Sequence, residues 1–338
     1  MKAIVYTKYG PPDVLQLKEL PKPIPRDDEV LVKIHAAAAN PLDWHFMRAS
    51  PFVIRFISGL LKPKPKHRIL GADIAGQVEA VGTNVKQFKA GDEVYGEVSR
   101  GGFAEYVCVA VDKLVLKPTN LSFEQAAAVP VAGLTALQCL RDQGQIQPGQ
   151  KVLINGASGG VGTFALQIAK SFGAVVTGVC STRNVDMVRS IGADQVIDYT
   201  REDFTQNGQL YDLIFDNVGN RSISEIKRIL GPNGTYLLNA YSPALMLQLM
   251  LQSGKSKIGG QTMRNTDITQ ANQSDLEFLK ALLEAGKVVS VIDRVYPLSE
   301  VAEAIRYLEG GHARGKVVII VAGSVDGVPN DRARDKLS

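Results

Sequence analysis

The chain has 338 residues, which is too long for one ordinary domain and suited to two. Its hydrophobic content of 45% and charged content of 21% are typical of a globular protein that folds in water. The formal net charge of +4 favours neither nucleic acid nor a membrane as the main partner. The three scattered cysteines imply neither a disulfide framework nor a metal cluster, and they fit a reducing compartment such as the cytoplasm.

The N-terminus lacks the pattern of a secretory signal, because no charged region precedes an apolar run. No apolar run reaches the ~18–20 residues that span a bilayer. We therefore expect no signal peptide and no integral membrane segment.

The first third of the chain predicts a β-rich unit. Residues 2–9 and 29–35 alternate apolar and polar side chains, which is the period of a strand. Residues 74–81 and 103–109 continue this pattern between glycine-containing turns.

Residues 51–68 interrupt this unit with an amphipathic half followed by a basic half. One interpretation is a weak peripheral contact with a membrane surface. The other is a variable loop or lid near a substrate pocket.

A helical region begins near residue 122. Ser122 to Gln125 has the spacing of a capping box, and helix continues through 126–128 and 134–140.

The sequence KVLINGASGGVG at 151–162 is the strongest motif of the chain. It predicts a buried strand over 152–155, a glycine turn and a helix over 161–172. A dinucleotide-binding turn needs small residues so that the chain bends sharply and the pyrophosphate approaches the backbone. The free N–H groups at the start of the helix then face the phosphates. This context favours a dinucleotide site over an ordinary strand–helix turn.

From this turn onward, short apolar strands alternate with helices, which predicts a doubly wound parallel sheet covered on both faces. The further strands are expected at 176–180, 195–198, 211–216 and 235–239, and the helices between them at 184–191 and 222–230.

The C-terminal part predicts two more helices and two more strands. A capping box at 274–277 opens the first helix, and the second ends near Glu309. The strands are expected at 291–296 and 316–321. The polar tail at 326–338 predicts disorder.

The residues after the second strand of the parallel sheet favour NADPH over NADH. NAD-binding turns usually carry an acidic residue there, whereas this chain has Ser181 and Arg183. A hydroxyl and a guanidinium bind a 2′-phosphate, and Tyr199 is a further candidate beside it. The alternatives to phosphate binding are that Arg183 is a solvated surface charge and that Tyr199 is a half-buried tyrosine at the end of a strand.

Together these motifs resemble the medium-chain dehydrogenase/reductase superfamily, and more narrowly its zinc-independent quinone oxidoreductase and enone reductase branch. The most specific pieces are NPLDW at 40–44, GADIAGQVEAVG at 71–82, NGASGGVG at 155–162 and GHARGKVVI at 311–319.

The resemblance implies an α/β fold of two domains. Residues 1–123 would form a GroES-like catalytic domain completed by 264–325, and 124–263 a Rossmann domain that binds NADPH. It also implies a homodimer, for which the apolar 244–252 segment is a candidate interface; a buried helix is the alternative.

The resemblance further implies the residues that hold the cofactor in the cleft between the domains. They are Asn40, Thr135, Ser158, Gly159, Gly160, Val161, Gly162, Ser181, Arg183, Tyr199, Asn217, Val218, Leu238, Ala313 and Arg314.

The positions of the zinc ligands in related alcohol dehydrogenases differ in this chain. Asn40 stands where those enzymes need a cysteine, and Ala72 and Asp73 stand where they need a His-Glu pair. The four histidines lack ligand spacing, so we expect neither a catalytic nor a structural zinc ion.

Without a metal, hydride transfer needs an activated acceptor, such as a quinone or the C=C bond of an α,β-unsaturated carbonyl. Asn40 is a candidate donor to the developing oxyanion. Asp43 either orients Asn40 or caps the following turn. Tyr241 and water are alternative proton donors.

A different class of function is a non-catalytic NADPH-binding sensor or scaffold.

Overall fold

The computed structural model of the protein describes residues 1–52, 54–240, 260–267 and 269–321. The predicted proton donor Tyr241, the 244–252 segment and the 326–338 tail lie outside the described residues. The α-helices within these ranges are α1 (Pro41–Arg48), α2 (Ile54–Ser58), α3 (Phe123–Ala127), α4 (Pro130–Gln138), α5 (Gly160–Ser171), α6 (Val185–Ser190), α7 (Ile223–Ile229), α8 (Gln273–Glu284) and α9 (Val301–Glu309). The strands are β1 (Lys2–Val5), β2 (Gln16–Glu19), β3 (Glu29–Ala39), β4 (Asp73–Val81), β5 (Glu93–Glu97), β6 (Tyr106–Ala110), β7 (Leu114–Leu116), β8 (Lys151–Asn155), β9 (Val175–Cys180), β10 (Gln195–Asp198), β11 (Tyr211–Asp216), β12 (Leu230–Leu238), β13 (Thr262–Asn265), β14 (Ile292–Pro297) and β15 (Lys316–Ile320).

Six strands form a parallel sheet in the order β10-β9-β8-β11-β12-β13. This is the strand order of a doubly wound dinucleotide-binding fold, with β8 as its first strand. Alternate residues of β8 pack into different cores: Val152 and Ile154 on one face, Leu153 on the other. Both faces are therefore covered, as the continuous apolar strands predict.

A second sheet has seven strands and joins the two ends of the described chain. Its order is β14-β15-β3-β4-β5-β7, with β6 also paired to β3. The long strand β3 pairs with β6 through residues 29–33 and with β15 through residues 36–39. The C-terminal strand thus completes the N-terminal sheet, in agreement with the predicted GroES-like arrangement.

Two predicted boundaries need correction. The predicted domain boundary between residues 263 and 264 falls inside β13, which pairs with β12 in the parallel sheet. The division into domains stays a prediction, with this boundary moved past Asn265. The predicted capping box at 274–277 is wrong, because the N-cap of α8 is Asn272, whose side chain accepts from the Asp275 N–H. Asparagine is as good an N-cap as serine, and Asn272 lies two residues earlier.

Other predicted starts are confirmed by the contacts that fix them. Ser122 accepts from the N–H of Gln125, and the Gln125 side chain accepts from the N–H of Ser122, so the capping box of α3 is complete. The glycine turn leads from β8 directly into α5.

Within the described residues no helix combines the length and hydropathy that a membrane crossing requires.

Candidate active site

A cleft of about 760 Å³ lies where the carboxyl ends of the parallel strands face the start of α1 and the start of β15. Ligands of open parallel sheets bind at this edge, where the strand order reverses. The turn after β8 and the loops after β9 and β11 form one side of the cleft. Further lining residues are 39–42, 308, 311–313, 315 and 316, together with residues of helix α4.

The glycine turn provides a cradle for phosphate groups. Its last glycine, Gly162, packs so tightly that an added Cβ would lie 2.1 Å from the Gly156 carbonyl oxygen. Helix α5 starts after Gly159, which offers no side-chain cap. The first N–H groups of this twelve-residue helix are therefore available to an anion, and its positive dipole end faces the cleft. This geometry fits the pyrophosphate of a dinucleotide.

A second, smaller opening of about 320 Å³ adjoins the cleft beyond the end of β9, and we call it the outer groove. The residues that line it are Ser181, Thr182, Arg183, Tyr199, Thr200 and His312. None of these side chains is acidic. The Arg183 side chain is exposed and donates to the carbonyl oxygen of His312 at 3.2 Å. The outer groove therefore presents a guanidinium and several hydroxyls, which suits a phosphate monoester.

One buried polar atom between the turn and the outer groove lacks a partner. Asn184 is 5% exposed, and its amide nitrogen donates to the hydroxyls of Ser158 and Ser181. Its Oδ1 atom has no hydrogen-bond partner. Because Asn184 lines the cleft, a donor group of a bound cofactor would satisfy this oxygen.

The loop after β11 is held by Asp216, which is fully buried. Its Oδ1 accepts from the N–H groups of Val218 and Gly219, both at 2.9 Å, and from Asn155 at 2.8 Å. Its Oδ2 accepts from the Tyr236 hydroxyl at 2.9 Å, and burial raises the pKa of that tyrosine. The carboxylate thus fixes the backbone that presents this loop to the cleft.

The inner end of the cleft contains a buried charged network. The Lys316 ammonium donates to Asn40 Oδ1 at 2.6 Å and to Asp73 Oδ2 at 2.9 Å. The Asn40 amide nitrogen donates to the same Asp73 oxygen at 2.9 Å, and Asp73 Oδ1 accepts from the Val131 N–H at 2.7 Å. Asp73 is fully buried, and Lys316 and Asn40 are each only 3% exposed.

The Lys316 side chain also connects this network to the glycine turn. Its Cδ atom would lie 3.2 Å from a Cβ added at Gly160, so the aliphatic chain runs along the start of α5. Lys316 opens β15 of the seven-stranded sheet, whereas Gly160 opens α5, which follows β8 of the parallel sheet. The ammonium is therefore held at the junction of the two sheets.

Asp43 lies beside the network but does not line the cleft. It accepts from the backbone N–H of Asn40 at 2.8 Å and from that of Gly71 at 2.9 Å. Burial raises the pKa of this carboxyl to about 6. The contacts are those of a cap on α1, and they orient the segment that carries Asn40.

Most of the predicted cofactor residues come together in the cleft. Those that line it are Asn40, Thr135, Ser158, Gly159, Gly160, Val161, Gly162, Ser181, Arg183, Tyr199, Asn217, Val218 and Ala313. Leu238 and Arg314 do not line it. Leu238 is 2% exposed within the core, and Arg314 is exposed and pairs with Asp293.

Sequence reasoning missed several residues of the cleft. Lys316, Asn155, Asn184 and Asn239 all line it. Lys316 had a signal in the sequence, since it is the only charged residue of the predicted strand 316–321. The asparagines follow or end predicted strands, where the carboxyl edge of the sheet lies.

The described residues contain no group of three or more His, Cys, Asp or Glu side chains that could hold a metal ion. Position 40 carries the amide of Asn40 and position 73 the carboxylate of Asp73, and both are bonded to Lys316. An ammonium is therefore bonded to the residues at two positions where the related zinc enzymes differ from this chain.

Two family models match the chain. The alcohol dehydrogenase GroES-like domain matches residues 26–119, and a model described as zinc-binding dehydrogenase matches residues 191–319. The chain is 37% identical to the 2-methylene-furan-3-one reductase of Solanum lycopersicum, over 94% of this chain and 79% of that protein. It is 35% identical to the mitochondrial NAD(P)H oxidoreductase RTN4IP1 of Mus musculus, over 95% of this chain and 89% of that protein.

A solved structure has the same fold over nearly the whole length. The quinone oxidoreductase from Coxiella burnetii superposes with a TM-score of 0.84 at 34% identity, covering 95% of this chain and 99% of that one. The chain therefore belongs to the zinc-independent branch of the medium-chain dehydrogenase/reductase superfamily that contains quinone oxidoreductases and enone reductases.

Proposed function

We propose that this oxidoreductase uses NADPH to transfer a hydride, without a metal, to a quinone or to the C=C bond of an α,β-unsaturated carbonyl. The observation that carries the proposal is the single cleft that joins the dinucleotide turn to the Lys316–Asn40–Asp73 network. Its outer part can hold a nicotinamide dinucleotide, and its inner end has a buried positive charge.

The turn and the outer groove would hold the cofactor. The N–H groups at the start of α5 would bind the pyrophosphate, and Gly159 leaves room for its approach. Ser181, Arg183 and Tyr199 would surround a 2′-phosphate, which supports NADPH over NADH. Bound NADPH supplies the hydride, and the protein supplies orientation and electrostatics.

At the inner end, Lys316 is better placed than Asn40 to stabilise developing negative charge. The Asn40 amide nitrogen already donates to Asp73 and to the Ala38 carbonyl, so both of its hydrogens are used. The Lys316 ammonium has three hydrogens, and Asn40 and Asp73 use two of them. A preorganised cation in a site shielded from water stabilises the negative charge that develops on a substrate oxygen.

The reaction does not require a side-chain acid at this position. Hydride addition to the β-carbon of an enone places the charge on its oxygen, and a proton must then reach the α-carbon. The same addition to a quinone leaves an oxyanion that takes up a proton from water. Tyr241, which lies outside the described residues, stays a predicted donor beside water.

The alternative is an NADPH-binding sensor or scaffold without turnover. Such a protein needs the glycine turn and the outer groove, but it does not need a buried ammonium at the inner end. The network therefore favours an enzyme.

A homodimer and a cytoplasmic location stay predictions, and the name of the mouse relative places that protein in mitochondria.

The test is oxidation of NADPH and NADH by the purified chain with 9,10-phenanthrenequinone, 1,4-benzoquinone and a short 2-alkenal, with and without a chelator. We expect turnover that prefers NADPH and is unaffected by the chelator, and the better acceptor identifies the substrate class. Tight NADPH binding without turnover of any acceptor would favour the sensor. Turnover that the chelator abolishes would refute the metal-free mechanism.

A further inference from the structure

We call residues 51–68 the basic-apolar segment. Those of its side chains that the structure describes include an exposed apolar group that the proposed reaction does not use. Four large apolar side chains of this segment face solvent. They are Phe52, Phe56, Leu60 and Leu61, which are 59%, 68%, 55% and 86% exposed. Surface apolar residues usually occur singly, whereas these four lie within ten residues of one another.

The segment is a folded part of the protein rather than a loose loop. The hydroxyl of Tyr9 donates to the Gly59 carbonyl at 2.6 Å, and the Lys64 N–H donates to the Ser58 carbonyl at 2.8 Å. Ile54 and Ser58, the first and last residues of α2, are buried. The fold therefore holds the inward side chains of this segment in place while it presents the four apolar ones outward.

The charge of the segment is one-sided. Residues 51–68 contain Arg55, Lys62, Lys64, Lys66 and Arg68 and neither Asp nor Glu. These five positive charges exceed the formal net charge of +4 of the whole chain, so the remaining residues are close to neutral. The three lysines are exposed and follow Leu60 and Leu61 in the chain.

We propose that the basic-apolar segment docks this protein onto the surface of an anionic phospholipid membrane. Phe52, Phe56, Leu60 and Leu61 would enter the interface between headgroups and acyl chains. The lysines would face the phosphates of anionic lipids, which attract a juxtaposed basic cluster. Charge complementarity is the reason to choose lipid over a second copy of this chain, because a copy presents the same positive cluster to its partner. The inference does not depend on the proposed reaction.

The test compares binding of the purified chain to two kinds of vesicle in a co-sedimentation assay at low salt. One vesicle is phosphatidylcholine alone, and the other mixes phosphatidylcholine with phosphatidylglycerol. We expect binding to the mixed vesicles that salt weakens, and much weaker binding to phosphatidylcholine alone.

Two variants of the segment separate its charge from its apolar side chains. Changing Lys62, Lys64 and Lys66 to Gln should weaken binding about 100-fold, since each lysine near an anionic surface is worth about a factor of five. Leu61→Ser should weaken it about 10-fold, as expected when one large apolar side chain no longer enters the interface.

Matched controls lie elsewhere on the surface. Ile24 is 88% exposed, so Ile24→Ser removes an equally exposed apolar side chain. Changing Lys8, Lys18 and Lys89 to Gln removes three exposed charges outside the segment. All variants should keep the melting temperature of the wild type, because the substituted side chains face solvent.

Three results would overturn the proposal. The first is wild-type protein that stays in the supernatant with the mixed vesicles. The second is binding that the segment variants retain or that the control variants lose to the same degree. The third is self-association in size-exclusion chromatography that the Leu61→Ser variant abolishes while vesicle binding is absent, which would make the surface an interface between copies.

Discussion

Lys316→Met is the most informative substitution, because it removes the buried cation and leaves its partners in place. The side chains of Lys316 and Asp73 are 3% and 0% exposed. In the variant, water therefore cannot solvate the charge of the Asp73 carboxylate that is left without its cation. Breaking a buried pair by removing one partner costs about 3–5 kcal/mol. Asp73 keeps the donors of Asn40 and Val131, at 2.9 and 2.7 Å, which places the expected cost near the lower end, about 3 kcal/mol.

The assay is urea denaturation followed by fluorescence. The single tryptophan, Trp44, lies on α1, which begins directly after Asn40, so its emission reports on this region. Lys151→Met, an exposed lysine at the start of β8, is the control and should change the free energy of unfolding by less than about 0.5 kcal/mol.

A double variant tests whether the cost arises from the pair. Asp73→Asn alone leaves the buried ammonium without its counter-charge, whereas Lys316→Met combined with Asp73→Asn leaves no buried charge. We expect the double variant to be more stable than the sum of the single effects by about 1–3 kcal/mol. A cost below about 1 kcal/mol for Lys316→Met, or strictly additive effects, would refute the reasoning.

Three further predictions concern the outer groove, the glycine turn and a partly buried acid. Arg183→Ala should raise the KM for NADPH about 10–100-fold and leave that for NADH nearly unchanged in steady-state assays, as expected for a charged hydrogen bond, whereas Arg189→Ala should change neither. Gly162→Ala should lower the melting temperature, because its Cβ would meet the Gly156 oxygen at 2.1 Å. Gly159→Ala, whose Cβ would lie 3.5 Å from that oxygen, should keep the melting temperature and weaken NADPH binding in titration calorimetry. Burial and then the Asp73 charge raise the pKa of Glu97 to about 7 from its ordinary 4.5, so ionisation destabilises the fold as the pH rises between these values. Glu97→Gln should therefore be more stable than wild type near pH 8, by at most about 3 kcal/mol in urea denaturation, with the difference vanishing near pH 4.

Each of these results has an outcome that contradicts it. If Arg183→Ala raised the KM for NADPH and the KM for NADH equally, the outer groove would not bind a 2′-phosphate. Unchanged stability of the Gly162 variant would contradict the close packing of the turn. A Glu97→Gln variant whose stability follows the pH dependence of the wild type would show that this carboxyl is not held in its neutral form.

The parallel sheet could be predicted from the sequence because its signals are local. Each of its first five strands is a short apolar run beside a helical pattern, and the glycine turn has its own spacing. The last strand, β13, has no such signal, since three of its four residues are polar and only pairing with β12 defines it. The N-cap of α8 was also hard to predict, because Asn272 and Ser274 are both polar residues that can start a helix, and only the hydrogen bond of Asn272 decides between them.

The inner end of the cleft could not be predicted in the same way. Lys316 and Asn40 are 276 positions apart, and only the pairing of β15 with β3 brings them together. A lysine that opens a strand usually points to solvent, so the apolar strand that follows Lys316 was only a weak signal of its burial. The family resemblance led to Asn40 as the donor. We propose the Lys316 ammonium for that role instead, because both amide hydrogens of Asn40 are already used.

Single-turnover hydride transfer is the measurement that decides whether the bound cofactor reduces an acceptor without a metal. The purified chain, saturated with NADPH or with NADPH deuterated at the transferable position, would be mixed with a quinone or an enone in chelator-treated buffer. We expect the cofactor to be oxidised in one turnover and deuterium to slow this step. A bound cofactor that stays reduced with every acceptor, or that is oxidised only after zinc is added, would contradict hydride transfer without a metal.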